Sequence, residues 1–107
     1  MVISRFDVVW VNLDPTVGHE IKKTRPCVVI SPNEINHSRS GTIIVAPLTS
    51  TIRNLPTHVS IDFNGRQGAV VLDQLRAIDC SRISKKMGVL DLRACQKVLH
   101  VLQELFS

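Results

Sequence analysis

Short apolar runs separated by turn-forming residues make up most of the chain. The runs at 26–31 and 42–46 are almost continuously apolar, which is typical of strands covered on both faces. Residues 58–62 instead alternate between polar and apolar positions, and Asn64-Gly65 favours a tight turn before the run at 68–72. The remaining runs lie at 8–13, 76–79 and 87–90. Short strands at this spacing predict a small closed or half-closed β-barrel.

The end of the chain follows a helical pattern. Between residues 91 and 106, apolar side chains recur at steps of three and four residues, which predicts an amphipathic helix. Asp91 is a suitable N-cap, because its negative charge suits the positive end of the helix dipole. We expect the apolar stripe to pack on the barrel, and it could also serve as a docking surface. The predicted fold is mainly β with helices (α+β), in a single domain over residues 1–107.

The composition narrows the class of protein. Of the 107 residues, 44% are hydrophobic and 21% are charged, as in a globular chain rather than a disordered one. A net charge of +4 favours polyanionic partners such as nucleic acid without demonstrating one. The N-terminus is too polar for a signal peptide, and no apolar run approaches the ~18 residues of a membrane span. We therefore expect a cytoplasmic protein without membrane contact.

The cysteines and histidines give no sign of a metal site. The 3 cysteines are widely spaced and lack a CxxC pair, so neither a disulfide framework nor a zinc knuckle is indicated. His37, His58 and His100 do not have the spacing of metal ligands. We expect neither a metal nor another cofactor.

Two long polar connections, at 14–24 and 48–57, are candidates for a functional site, because loops of this length in a compact domain are usually functional. Arg25 follows the first of them and directly precedes Pro26 and an apolar strand, so its backbone is anchored at the barrel rim. A guanidinium stays charged at all working pH values and presents a planar fork to phosphate oxygens. The same loop also supplies four further polar side chains: His19, Glu20, Lys22 and Lys23. By composition alone, a solvated loop is equally compatible.

Polar pairs follow two of the other predicted strands. Thr49 and Ser50 come just beyond the third strand, where a hydroxyl beside an arginine would donate a hydrogen bond to a phosphoryl oxygen. Asp73 and Gln74 follow the strand at 68–72, and an alternative role for Asp73 is to cap the next turn. These pairs extend the candidate phosphate site.

Taken together, these segments resemble the MazF/PemK family of toxin endoribonucleases. Six stretches carry the resemblance in the family's order: 6–15 (FDVVWVNLDP), 18–20 (GHE), 24–26 (TRP), 45–49 (VAPLT), 55–59 (LPTHV) and 68–74 (GAVVLDQ). The resemblance implies an SH3-like barrel of the CcdB/PemK type with a C-terminal helix, acting as a homodimer. It further implies sequence-selective cleavage of single-stranded mRNA, which inhibits translation and growth. A cognate antitoxin would inhibit the enzyme, and DNA would be contacted only through the antitoxin complex.

The resemblance also assigns roles to residues. Arg25 and Thr49 match the family's key arginine and threonine, and His19 lies near the substrate as the candidate for proton transfer. The expected substrate-binding residues are Glu20, Lys22, Lys23, Ser50, Asp73 and Gln74. The simplest chemistry needs no metal: the RNA 2′-hydroxyl attacks the adjacent phosphorus and leaves 2′,3′-cyclic phosphate and 5′-hydroxyl ends.

Two positions depart from the family. Some relatives carry an arginine with an acid/base role two residues before the aspartate, where this chain has Val71. Relatives often have a glycine just before the key arginine, whereas this chain has Lys22-Lys23. The loop is therefore expected to be stiffer and more basic, and the substrate preference stays open.

Two other functions remain compatible with the sequence. CcdB-type toxins have a similar barrel but poison DNA gyrase by protein contact and cleave nothing. They carry a tryptophan close to the C-terminus, whereas residues 100–107 contain none. The third possibility is a non-catalytic RNA-binding barrel, which would protect RNA without producing new ends.

Overall fold

The chain folds into a curled antiparallel sheet of seven strands that carries one long helix. The computed structural model describes residues 1–107. The strands are β1 (Asp7–Asn12), β2 (Thr24–Val29), β3 (Thr42–Thr49), β4 (His58–Phe63), β5 (Arg66–Val71), β6 (Arg76–Asp79) and β7 (Ile83–Val89). The helices are α1 (Asn33–Asn36) and α2 (Leu92–Leu105), and single 3-10 turns lie at Leu72–Gln74 and Cys80–Arg82. Neither α-helix is long and apolar enough to cross a membrane.

β3 is the strand that joins the two parts of the sheet. The strand order is β4-β5-β3-β2-β1-β7, and β6 pairs with the first half of β3. Thr42 to Val45 pair with β6, whereas Leu48 and Thr49 pair with β5. Because β3 changes partner in this way, the sheet bends around it and forms the predicted half-closed barrel.

The strand prediction placed the end of β3 too early. The apolar run was expected to stop at residue 46, but β3 continues through Pro47 to Thr49. Pro47 lies between the part of β3 that pairs with β6 and the part that pairs with β5. Its missing N–H therefore interrupts neither of these two pairings. Thr49 is therefore the last residue of a strand and not part of a loop.

Two apolar clusters lie on the two faces of the sheet. Consecutive strand residues point to opposite faces, so Val8 and Val28 belong to one cluster while Val9 and Val29 belong to the other. All four side chains are fully buried. Burial on both faces explains why the central strands are continuously apolar in sequence.

Helix α2 covers one of these clusters. The Asp91 carboxylate accepts a hydrogen bond of 2.8 Å from the Ala94 amide, which confirms the predicted N-cap. Cys95 and Val98 are buried against the sheet, but Leu92 and Phe106, at the two ends of the predicted stripe, are exposed. The helix therefore packs through its middle turns only.

Candidate functional site

The pairing of β2 with β3 brings two of the predicted catalytic residues, Arg25 and Thr49, to the same end of the sheet. The recorded pairing ends at Cys27 and Pro47, and Arg25 and Thr49 each lie two residues beyond that pair, at the same end of the two strands. Both residues line one open cleft of about 560 Å³, which we call the Arg25 cleft. Ser50 lines the same cleft. The cation and the two hydroxyls therefore lie on one side of the molecule.

The Arg25 side chain is held at one end and free at the other. Its backbone lies in β2 and pairs with the fully buried Val11 of β1. Its Nε donates a hydrogen bond of 2.9 Å to the Lys22 carbonyl, which is the only protein partner of the guanidinium. The two terminal nitrogens and the positive charge thus remain available to an anion.

The position of Thr49 depends on a close approach between β3 and β5. Its Oγ1 accepts a hydrogen bond of 3.1 Å from the Thr51 amide, so the hydroxyl hydrogen remains free to donate. A Cβ on Gly68 would lie 2.8 Å from the Thr49 carbonyl oxygen, closer than packing allows. Gly68 is therefore a site residue that the sequence pattern alone did not reveal, although it begins the 68–74 stretch.

A second, smaller cavity of about 320 Å³ adjoins the cleft at Thr49. We call it the Asp73 cavity, and its lining includes His19, Thr49, Asp73 and Gln74. Thr49 thus lines both spaces, with Arg25 on one side and His19 with Asp73 on the other. Four of the predicted residues, from three separate segments of the sequence, meet in this cavity.

Gln74 holds the loop that carries His19. This loop, the β1–β2 loop (residues 13–23), lies between β1 and β2. The Gln74 Oε1 accepts a hydrogen bond of 2.6 Å from the Ile21 amide, and its Nε2 donates one of 3.2 Å to the His19 carbonyl. Both polar atoms of the side chain are therefore occupied by loop backbone.

The other predicted loop residues stand outside the two spaces or at their rim. Glu20 accepts a hydrogen bond of 2.6 Å from the Val17 amide, so its carboxylate closes its own turn. Lys22 and Lys23 are exposed, and neither lines the Arg25 cleft or the Asp73 cavity. Lys23 has a φ of 71°, in the left-handed region that glycine adopts freely. This is where the sequence departs from the glycine of many relatives.

The structure adds His58, which the sequence analysis considered only as a metal ligand. It lines the Asp73 cavity, and its Nε2 lies 3.8 Å from Oδ1 of Asp73. The Thr57 hydroxyl donates a hydrogen bond of 3.0 Å to the same oxygen. The sequence does contain a signal for this position of His58. The Asn64-Gly65 turn predicts the β4–β5 hairpin, and pairing residues outward from that turn places His58 opposite Val71, two residues before Asp73.

Nucleophilic cysteine chemistry is excluded at Cys27, which lies in β2 two residues from Arg25. Burial raises the pKa of its thiol to about 12, although the charges of Arg25 and Arg76 act in the opposite direction. The thiol is therefore protonated at neutral pH and not nucleophilic. No group of three or more His, Cys, Asp or Glu side chains is arranged to hold a metal ion.

Comparison with known proteins identifies the family. Residues 4–106 match the family described as PemK-like, MazF-like toxin of type II toxin-antitoxin system. The chain belongs to this family. The prediction made from the six sequence stretches is therefore confirmed.

Relatives match over nearly the whole of both chains. Endoribonuclease EndoA of Bacillus subtilis is 39% identical over 109 residues, covering 96% of this chain and 93% of its own. Endoribonuclease MazF of Staphylococcus saprophyticus is 31% identical over 103 residues, covering 91% and 85%. These names support the prediction of an endoribonuclease rather than a gyrase poison.

Solved structures confirm the predicted fold. MazF from Deinococcus radiodurans superposes with a TM-score of 0.87 at 29% identity, covering 99% of this chain and 97% of that chain. A MazE-MazF structure from the same organism gives a TM-score of 0.81 at 29% identity, covering 99% and 96%. The half-barrel with a C-terminal helix is thus the fold of MazF toxins.

Proposed function

We propose that this protein is the toxin of a toxin–antitoxin pair and cleaves single-stranded mRNA selectively, without a metal ion. The observation that carries the proposal is the placement of Arg25 and Thr49 at one cleft, with the terminal guanidinium nitrogens unpaired. The names of the relatives support the ribonuclease activity. The 2′-hydroxyl of the RNA is the nucleophile, so the protein has to bind a phosphate and move two protons.

Arg25 and Thr49 would act on the phosphoryl group. During attack of the 2′-oxygen, negative charge accumulates on the non-bridging oxygens of a five-coordinate phosphorus. A fixed guanidinium stabilises that charge, and the free hydroxyl hydrogen of Thr49 donates to one of the same oxygens. Because both residues belong to paired strands, little reorganisation is needed when the charge develops.

His19 is our candidate for proton transfer. An imidazole exchanges protons near neutral pH, and His19 lines the Asp73 cavity next to Thr49. The bond from phosphorus to the 5′-oxygen breaks as the 2′-oxygen attacks, so one proton leaves the 2′-hydroxyl and another is delivered to the 5′-oxygen. The products are a 2′,3′-cyclic phosphate and a 5′-hydroxyl.

The remaining predicted residues would bind and orient the RNA. Asp73 and Ser50 offer a carboxylate and a hydroxyl at the cavity and the cleft. Lys22 and Lys23 add positive charge outside the cleft, where they would attract the phosphate backbone. Glu20 and Gln74 would act through the loop, because their side chains are bonded to its backbone. Bases would be recognised in single-stranded RNA, where their edges are accessible.

The proposed partners follow from the same family. The protein would act in the cytoplasm as a homodimer and would be inhibited by a cognate antitoxin. It would contact DNA only through the antitoxin complex. The MazE-MazF structure from Deinococcus radiodurans supports the association with an antitoxin.

The test is incubation of the purified protein with a long RNA of known sequence in excess EDTA. We expect cleavage at a restricted set of sequences, with 5′ ends that polynucleotide kinase labels directly and 3′ ends that resist extension. Arg25→Ala should lose the activity, while Arg39→Ala, an exposed arginine that lines neither the cleft nor the cavity, should keep it. Intact RNA, or cleavage that requires Mg²⁺, would overturn the proposal.

A further inference from the structure

His58 is a buried histidine next to the candidate site. It begins β4, opposite Val71 of β5, and only 9% of its side chain is exposed. The 3-10 turn that carries Asp73 follows β5 directly, so the imidazole faces that turn. A polar ring buried to this extent is expected to have hydrogen-bond partners.

Both partners of Asp73 approach the same carboxylate oxygen. The Thr57 hydroxyl donates to Oδ1 at 3.0 Å, and the His58 Nε2 lies 3.8 Å from it. Oδ2 makes no hydrogen bond to the protein, and the Asp73 side chain is 48% exposed. One oxygen therefore faces two side chains of the protein, and the other is free for a ligand in the Asp73 cavity.

The surroundings of the ring favour one tautomer. Nδ1 of His58 is buried and has no hydrogen-bond partner. A buried N–H without an acceptor is costly, and more so when it belongs to a cation. The tautomer that avoids this cost carries its hydrogen on Nε2, facing Asp73.

We propose that His58 is a positioning residue which, together with Thr57, holds Oδ1 of Asp73 so that Oδ2 is presented to the RNA. This inference rests on the proposed function, because it assigns Asp73 to substrate binding. His58 acts through Asp73 and does not touch the substrate. The 3.8 Å separation is longer than a hydrogen bond, so the proposed role requires the two atoms to come closer.

The proposal is tested by two substitutions of His58, by Asp73→Ala, and by the double variant that combines His58→Leu with Asp73→Ala. His58→Leu removes the donor and keeps an apolar side chain, whereas the amide nitrogen of His58→Gln takes the place of Nε2. We expect His58→Leu to lower kcat/KM roughly 10-fold and His58→Gln to stay within about threefold, since a lost hydrogen bond to a carboxylate accounts for that difference. In an Asp73→Ala background, His58→Leu should add less than about twofold. Should His58→Leu fail to fold, Thr57→Val in both backgrounds replaces it, with the same expectation.

A purely structural role would give different results. His58→Leu would then lower kcat/KM by the same factor with and without Asp73, and His58→Gln would not restore kcat/KM. Loss of one limb of the pH profile in His58→Gln would make His58 a proton-transfer group. Each of these results overturns the proposal.

The protonation form is measured without RNA, which separates this inference from the proposed function. In the ¹⁵N spectrum of the imidazole at neutral pH, we expect a protonated Nε2, a bare Nδ1, and a shift of Nε2 on Asp73→Ala. A ring protonated on both nitrogens, or one that does not respond to Asp73→Ala, contradicts the proposal. If the wild-type protein fails to cleave RNA while this spectrum is as expected, only the proposed function is lost.

Discussion

The two sides of the candidate site are built differently. Arg25 and Thr49 belong to strands β2 and β3, and each pairs with a neighbouring strand: Arg25 with Val11 of β1 and Thr49 with Ala69 of β5. His19 belongs to the β1–β2 loop, which is held to the rest of the site by the side chain of Gln74. The phosphate-binding groups are thus fixed by the sheet, whereas the proton-transfer group depends on a side-chain clamp. The predictions below test this difference.

The largest effect is expected on the strand side of the site, which is formed by Arg25 and Thr49. Arg25→Ala and Thr49→Val should each lower the single-turnover cleavage rate about 100-fold or more, by analogy with the loss of one oxyanion donor. The free energy of unfolding should change little, because neither side chain contributes to the apolar clusters. Rapid-quench kinetics and chemical denaturation measure the two quantities. Near-normal cleavage by Arg25→Ala would remove the strand side from the mechanism.

Gly68→Ala should affect both activity and stability. The added methyl group would lie 2.8 Å from the Thr49 carbonyl oxygen, so β3 and β5 have to separate at Thr49. We expect a loss of about 1–3 kcal/mol in the free energy of unfolding, the usual cost of overpacking. Cleavage should fall with it, because the Thr49 hydroxyl moves. A variant with unchanged activity and stability would show that the close approach does not position Thr49.

Substitutions of Gln74 should increase the mobility of the loop side of the site, the β1–β2 loop that carries His19, and leave β2 and β3 unchanged. Gln74→Leu removes both hydrogen bonds, and the loss of each should lower the free energy of unfolding by about 1 kcal/mol at most. Gln74→Glu keeps the acceptor for the Ile21 amide and loses the donor to the His19 carbonyl, so its effect should be intermediate. Faster hydrogen exchange at Ile21, with unchanged exchange in β2, is the expected signature. Equal exchange in all three proteins would argue against a clamp.

The smallest effect is expected at Lys23. A non-glycine residue in the left-handed region costs about 1 kcal/mol or slightly more, while glycine loses about 0.5–1 kcal/mol in chain entropy. Lys23→Gly should therefore change the free energy of unfolding by less than about 1 kcal/mol, towards stability. Lys22→Gly is the matched control, because Lys22 does not have a positive φ, and it should destabilise. Denaturation curves that rank the two variants in the opposite order would contradict this account of the loop.

The sequence predicted the strand side more completely than the loop side. Arg25 could be predicted because a proline and an apolar strand follow it, and Thr49 because it was expected just beyond the next strand. The end of β3 was placed too early because Pro47 was expected to stop the strand. β3 can contain Pro47 because it changes its partner strand there, and this change is visible only in the assembled sheet.

The contacts by which Gln74 and His58 support the site could not be predicted. Gln74 reaches the β1–β2 loop across the curl of the sheet, and the partners of its amide depend on that curvature. His58 could have been placed opposite Val71 from the Asn64-Gly65 turn, but its burial and its distance from Asp73 follow from packing. Local pattern thus predicts which residues end strands, and the tertiary structure decides which of them meet.

The most direct test of the central claim is a crystal structure of the protein with an RNA that carries a 2′-deoxy substitution at the cleaved position. We expect non-bridging oxygens of the scissile phosphate to lie about 2.7–3.2 Å from a terminal nitrogen of Arg25 and from the Thr49 hydroxyl. A scissile phosphate bound elsewhere, with Arg25 and Thr49 contacting only the flanking RNA, would contradict the account.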